Sequence, residues 1–214
     1  MGFEGWPDAA LDFYRGLEVD NSKAYWTAHK DSYERDVLAP MQALVDELAP
    51  EFGEAKIFRP YRDIRFSADK SPYKTAIGAL LGGGGYVHFS ASGLGAGAGC
   101  HTMAPDQLAR YRTAVADDEL GEELEEAIAT VKARDIQITV HESLASAPRG
   151  FPKDHPRAEL LRNKDLSAWR EWKPAPWLNT PQAADRIIGF LHDSRPLTEW
   201  LDANVGATTQ QRSR

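Results

Sequence analysis

Thr75-Ala-Ile-Gly-Ala-Leu-Leu81, Gly82-Gly-Gly-Gly85, Tyr86-Val-His-Phe-Ser90, Ala91-Ser-Gly93 and Leu94-Gly-Ala-Gly-Ala-Gly-Cys-His101 follow one another without interruption. Three short apolar runs alternate with residues that favour turns, which reads as three β-strands in tight succession. Connections this short cannot make the crossover that parallel strands require, so the strands are expected to form an antiparallel meander. Glycines at 95, 97 and 99 leave one face of the third strand without side chains. Such glycines only weaken a sheet unless backbone or an aromatic ring lies close over them, and that close cover is expected here.

Helical patterns flank this centre. Pro7 suits a first helical turn, and Ala10, Phe13, Tyr14 and Leu17 share one face. Asn21 is read as the N-cap of a second helix carrying Tyr25, His29, Tyr33 and Val37. Pro40 is expected to kink or split it, with Met41, Leu44, Val45 and Leu48 resuming the period up to a break at Pro50. From Lys56 the pattern changes, and Ile57 to Phe66 is read as a β segment bent near Pro60. Beyond the meander, helices are expected from Pro105 and over Glu119 to Arg134, then a strand over Ile136 to His141. A helix holding Leu160 and Leu161, an irregular connector over Pro174 to Pro181, and helices over Gln182 to His192 and Pro196 to Asn204 complete the pattern. The expected class is α+β, a single domain over residues 3–205 with an antiparallel sheet packed against helices, and a flexible C-terminal tail at 206–214.

Composition sets the outer limits. The chain has 214 residues, 42% hydrophobic and 27% charged, which excludes fibrous and wholly disordered classes. No apolar run approaches the roughly 20 residues that span a bilayer, so no membrane partner is expected. The opening Met1 to Pro7 lacks a basic stretch and an apolar core, so no signal peptide is expected. The lone Cys100 fits a reducing compartment, and the expected location is cytoplasmic. Histidines 29, 88, 101, 141, 155 and 192 show no metal-ligand spacing, so no metal and no cofactor are expected. The Gly82 to Gly85 run lacks the Lys-Ser/Thr of a phosphate-binding loop and opens a strand.

A net charge of −7 hides two basic segments. Lys56 to Thr75 holds six Lys/Arg against two Asp, and Pro148 to Lys164 holds five against two acids. Guanidinium forks match phosphate and carboxylate oxygens, so Arg59, Arg62, Arg65, Lys70, Lys74 and Arg149 are candidate anion-binding residues. Asp63, Asp154 and His155 are the candidates for proton transfer, Asp154 also being read as the cap of the helix that follows. The acidic run Asp117 to Glu126 is read as a solvated helix face.

Phe58-Arg-Pro-Tyr-Arg-Asp-Ile-Arg-Phe-Ser-Ala-Asp-Lys-Ser-Pro-Tyr-Lys-Thr75 resembles the signature of the domain-of-unknown-function 2461 family. The likeness extends to the early helix with Lys30, Tyr33 and Pro40, to the glycine-rich hairpin, and to Pro148-Arg-Gly-Phe-Pro-Lys-Asp-His-Pro156 with Glu159-Leu-Leu-Arg162. It implies an α+β domain over roughly residues 3–205 in which both basic motifs recur, and it implies no reaction, cofactor or catalytic residue. Three functions then compete. An anion-binding small-molecule protein requires a concave, partly apolar pocket. A nucleic-acid binder requires an open groove with Tyr61, Phe66 or Tyr73 free to stack, and the acidic total disfavours it. A structural or interaction protein, pairing the basic segment with acidic groups, requires arginines already neutralised.

Overall fold

The computed structural model describes residues 2–65 and 67–210. Its elements are α1 (Asp8–Val19), α2 (Lys23–Ser32), a π-helical segment (Tyr33–Leu38), α3 (Ala39–Phe52), β1 (Ala55–Ile57), β2 (Ala76–Leu81), β3 (Gly85–Ser90) and β4 (Gly93–Cys100). There follow α4 (Pro105–Ala116), α5 (Asp118–Ala133), β5 (Gln137–Thr139), α6 (Ala158–Arg162), β6 (Leu166–Trp172), a 3-10 turn (Pro176–Asn179), α7 (Gln182–Asp193) and α8 (Arg195–Asn204). The class is α+β, with an antiparallel sheet in the order β1-β2-β3-β4-β6-β5. The chain forms two compact units, residues 1–96 with 171–189, and residues 97–170 with 190–214. The meander stands as expected, Ile77 facing Phe89 and Leu80 facing Tyr86 across β2 and β3.

In the first unit α1 buries Ala10, Leu11, Phe13, Tyr14 and Leu17. Trp6 stacks on Phe89 of β3 at 4.7 Å between ring centroids, with Phe3 edge-on to it at 5.0 Å. The cap of α2 is Ser22, whose Oγ accepts from Tyr25 N at 3.1 Å, and not the expected Asn21. Asn21 does something else. Its side-chain amide donates to Tyr73 O at 3.1 Å and accepts from Tyr73 N at 3.0 Å, so one side chain imitates a strand neighbour for a residue 52 positions away. The Tyr73 ring is buried and stacked on Trp26 at 4.4 Å, nearly parallel.

Two expected breaks are absent. The helical backbone runs from Lys23 to Phe52, because the split foreseen at Pro40 is absorbed by the π-helical segment before it. There Ala39 N donates to Glu34 O, five residues back, and the wider winding makes room for the proline ring. Pro50 sits in the last turn of α3, which ends two residues later at Phe52, with Gly53 as its C-cap. The β segment foreseen from Lys56 shrinks to β1, and the arginines after it lie on irregular backbone.

In the second unit α4 buries Tyr111, Ala114 and Val115, and α5 buries Gly121, Leu124, Ala127 and Val131. The bare face of β4 is closed as expected. A Cβ on Gly97 would lie 2.9 Å from the Trp169 ring of β6, and Gly99, with φ of +119°, lies against the Leu166 carbonyl. Strand β6 escapes the sequence reading, because Leu166, Ser167 and Ala168 are all buried and leave no alternation to detect. The acidic run is a solvated face, as read, with one exception. Arg157, its side chain 5% exposed, reaches Asp118 at 3.2 Å and Glu125 at 3.8 Å. The same guanidinium donates to the carbonyls of Val115 at 2.8 Å and Asp117 at 2.9 Å, where α4 gives way to α5. Within the segment expected as a free tail, Thr208 Oγ1 and Thr209 N donate to Asp106, and Arg110 donates to the Ala207 carbonyl. Residues 211–214 of that tail lie outside the described residues.

Two substitutions test this packing. Gly97→Val overfills the gap under Trp169 and should destabilise by about 1–3 kcal/mol, seen as a lower Tm; an unchanged Tm contradicts the close approach. Asn21→Ala strands a backbone donor and acceptor of Tyr73, at about 1–3 kcal/mol for each buried group left unpaired. Its signature is faster amide exchange at Tyr73, which Ser22→Ala should leave unmoved.

Candidate functional site

The arginine-rich stretch lies in the first unit and folds back on itself. Phe58 N donates to Gly78 O at 2.8 Å, Arg62 N to Pro72 O at 2.9 Å, and Lys74 N to Pro60 O at 2.8 Å. Tyr61 and Tyr73 form an antiparallel bridge. These bonds carry the β1–β2 ladder outward as an irregular hairpin, with residues 63–65 and 67–71 at its tip. Pro60 and Pro72 supply carbonyls and no N–H, which explains why the pairing is interrupted and never becomes a regular strand.

At the tip, cations meet their own aspartates. Arg65 holds Asp63 through two bonds, of 2.9 and 2.6 Å, and these hold the Asp63 carboxyl down at about 2. Arg62 pairs with Asp69, whose other oxygen accepts from Ser71 N at 2.8 Å. The bonds from Ser71 first, and then from Arg62, hold the Asp69 carboxyl well below the ordinary range. Lys70 Nζ donates to the Ile64 carbonyl at 3.0 Å. Both aspartates are exposed, so these pairs fix the shape of the loop more than they stabilise the fold.

Behind the tip lies a cleft of about 500 Å³. Phe58, Gly78 and Tyr86 give it an apolar wall, and the Tyr86 hydroxyl lies against Gly78 where a Cβ would otherwise stand. Arg62, Lys74, Glu18 and Asp69 bring its charges, and Asn21, Ser71 and Thr75 its neutral polar groups. Of the six candidate cations, the cleft draws in Arg62 and Lys74. Lys74 Nζ stands 5.2 Å from the centroid of the Phe58 ring and pairs with no carboxylate among the described residues. Arg59 likewise makes no hydrogen bond or ion pair among the described residues. Partial burial, and then the Arg59 charge, push the Lys74 ammonium below its ordinary value. Phe58, Glu18, Asn21, Ser71 and Tyr86 were not singled out from sequence. Asn21 was assigned to a cap, and the others have no spacing that marks a site.

The remaining candidates belong to the second unit. Arg149 and Asp154 are exposed on the 148–156 loop, and neither makes an ion pair among the described residues. Asp154 does not cap α6. The N-cap residue is Arg157, with no side-chain cap bond, and its own N–H donates to His155 Nδ1 at 3.0 Å. No hydrogen bond joins Asp154 to His155 among the described residues. Tyr73, one of three rings proposed to stack on bases, is occupied by Trp26; Tyr61 is half exposed, and Phe66 lies outside the described residues.

Among the described residues no group of three or more His, Cys, Asp or Glu is placed to hold a metal ion, and no helix is long and apolar enough to cross a membrane. No curated protein and no solved structure matches the chain. A family described as "Conserved hypothetical protein (DUF2461)" matches residues 9–200. That match runs through the folded-back arginine hairpin, the glycine-rich strands and the proline-rich loop alike, and by it the chain belongs to the DUF2461 family.

Proposed function

We propose that the cleft of the first unit binds a small organic anion, with Lys74 supplying the charge and Phe58 and Tyr86 receiving its apolar part. The carrying observation is Lys74, which lines the cleft with its ammonium over the Phe58 ring and makes no ion pair among the described residues. Arg62 and Arg65 support a narrower version of the anion reading than the sequence suggested. Each is already neutralised by an aspartate, so their role is to shape the loop that carries Lys74. The interaction-protein reading keeps those two pairs in its favour. It gives no account of Lys74 or of the cleft that it lines.

Thermal-shift titration at constant ionic strength tests the reading. Inorganic phosphate and phosphorylated metabolites should raise Tm above a chloride control, and saturating ligand at a hundredfold excess over Kd corresponds to about 2.7 kcal/mol. Lys74→Gln should diminish the shift while remaining folded, whereas Arg65→Ala should leave it in place. Equal shifts with phosphate and chloride overturn the proposal.

The pH dependence follows from the sign of the Lys74 perturbation. A lysine depressed in the folded state disfavours folding while it is charged, and that penalty is relieved as pH rises through the depressed value toward the ordinary one at 10.5. A bound anion favours the charged form, so binding takes up protons in this window. Phosphate affinity should therefore fall as pH climbs through the alkaline range below 10.5, and the fall should be lost in Lys74→Arg. A flat profile in the wild type contradicts the assignment.

A further inference from the structure

We infer that the anion taken by the cleft of the first unit also carries an ammonium group, and that its class is the free amino acid with an apolar body, its carboxylate on Lys74 and its ammonium on Glu18. This rests on the anion reading of the same cleft and adds the class of ligand. Among the described residues, four charged side chains line the cleft, Arg62 and Lys74 against Glu18 and Asp69. Arg62 and Asp69 pair with each other, and Asp69 also accepts from Ser71 N at 2.8 Å, so that pair is closed. One ammonium and one carboxylate are left over. Lys74 and Glu18 make no ion pair, either with each other or with any other of the described residues. The lining therefore sums to zero charge and offers one open group of each sign. A simple anion satisfies Lys74 and leaves Glu18 facing a like charge, whereas a zwitterion satisfies both.

The two groups stand on backbones that are fixed independently. Lys74 follows the Asn21 clamp on Tyr73, and its own N–H donates to Pro60 O at 2.8 Å. Glu18 lies in the last turn of α1, where Asp20 N closes the helix on the Gly16 carbonyl at 2.9 Å. That turn holds no basic residue, and the preceding Arg15 is taken by Asp12. The Glu18 carboxylate therefore sits at the negative end of the helix dipole without a cation to offset it, and an ammonium bound there is favoured by both. On the other side of the balance, the Phe58 ring lies 5.2 Å from Lys74 Nζ and favours the charged ammonium that a carboxylate needs. Phe58, Gly78 and Tyr86 give the apolar wall for the body of the ligand, in a cleft whose volume of about 500 Å³ suits a small molecule.

The probe is L-phenylalanine, titrated calorimetrically into the full chain, with L-leucine as a second apolar zwitterion. Two comparison ligands each lack one charge: 3-phenylpropionate keeps the ring and the carboxylate, and L-phenylalaninamide keeps the ring and the ammonium. L-Phenylalanine should bind about tenfold more tightly than either, which is what one hydrogen bond to a charged group contributes. Glu18→Gln should remove its advantage over 3-phenylpropionate, and Lys74→Gln its advantage over the amide. Glu18 is exposed and Lys74 half-buried, so both variants should keep a wild-type circular dichroism spectrum. Glu18→Lys should go further and make 3-phenylpropionate the tighter ligand. Apolar zwitterions that bind no better than 3-phenylpropionate, or an L-phenylalanine affinity untouched by Glu18→Gln, overturn the inference. Should that happen while phosphate and 3-phenylpropionate still raise Tm above chloride, the anion reading survives and the zwitterion alone fails. Should phosphate, 3-phenylpropionate and L-phenylalanine all match chloride, the anion reading fails and the inference falls with it.

Discussion

The placement of the arginine hairpin depends on a single amide. Asn21 pairs with both backbone groups of Tyr73, and through them the hairpin that prolongs the β1–β2 ladder is held against α2. The clamp sets the Tyr73 ring on Trp26, a contact worth about 0.5–1.5 kcal/mol beyond burial, and it sets the next residue, Lys74, facing the cleft. Without it, a loop carrying two prolines and five cations would have little reason to settle in one conformation. Its own charges tie the tip together but are too exposed to anchor it.

This division of labour explains the composition of the arginine segment. Arg62 and Arg65 are consumed locally by Asp69 and Asp63, so a charge count over the sequence overstates what is available to a ligand. What remains at the cleft is Lys74, its ammonium over the Phe58 ring. That is not the charge spread along a groove that a nucleic-acid backbone needs.

The sequence made the meander legible because alternating apolar residues and short glycine turns leave antiparallel pairing as the sole economical solution. It also made α1, α4 and α5 legible, since each buries a stripe at helical spacing. It concealed β6, whose buried run of Leu166, Ser167 and Ala168 has neither alternation nor bulk. It misdirected at Asn21 and Asp154, two residues whose short polar side chains suit a cap: Ser22 caps α2 instead, and α6 has no side-chain cap bond. Of the candidate site, the residue types and the region were legible. The selection of Lys74 over Lys70 was not, because it follows from a clamp 52 positions away.

Arg157 and Gly121 carry a consequence for how this chain can vary. A side chain at 121 would collide with the Arg157 guanidinium, and it would also meet the Val115 carbonyl. The dependence is therefore one-way. An arginine at 157 can reach the α4–α5 corner only above a glycine, whereas the glycine is demanded by the backbone even when the arginine is gone. Loss of Arg157 would leave the Val115 and Asp117 carbonyls without their donor and would still not open position 121 to a side chain.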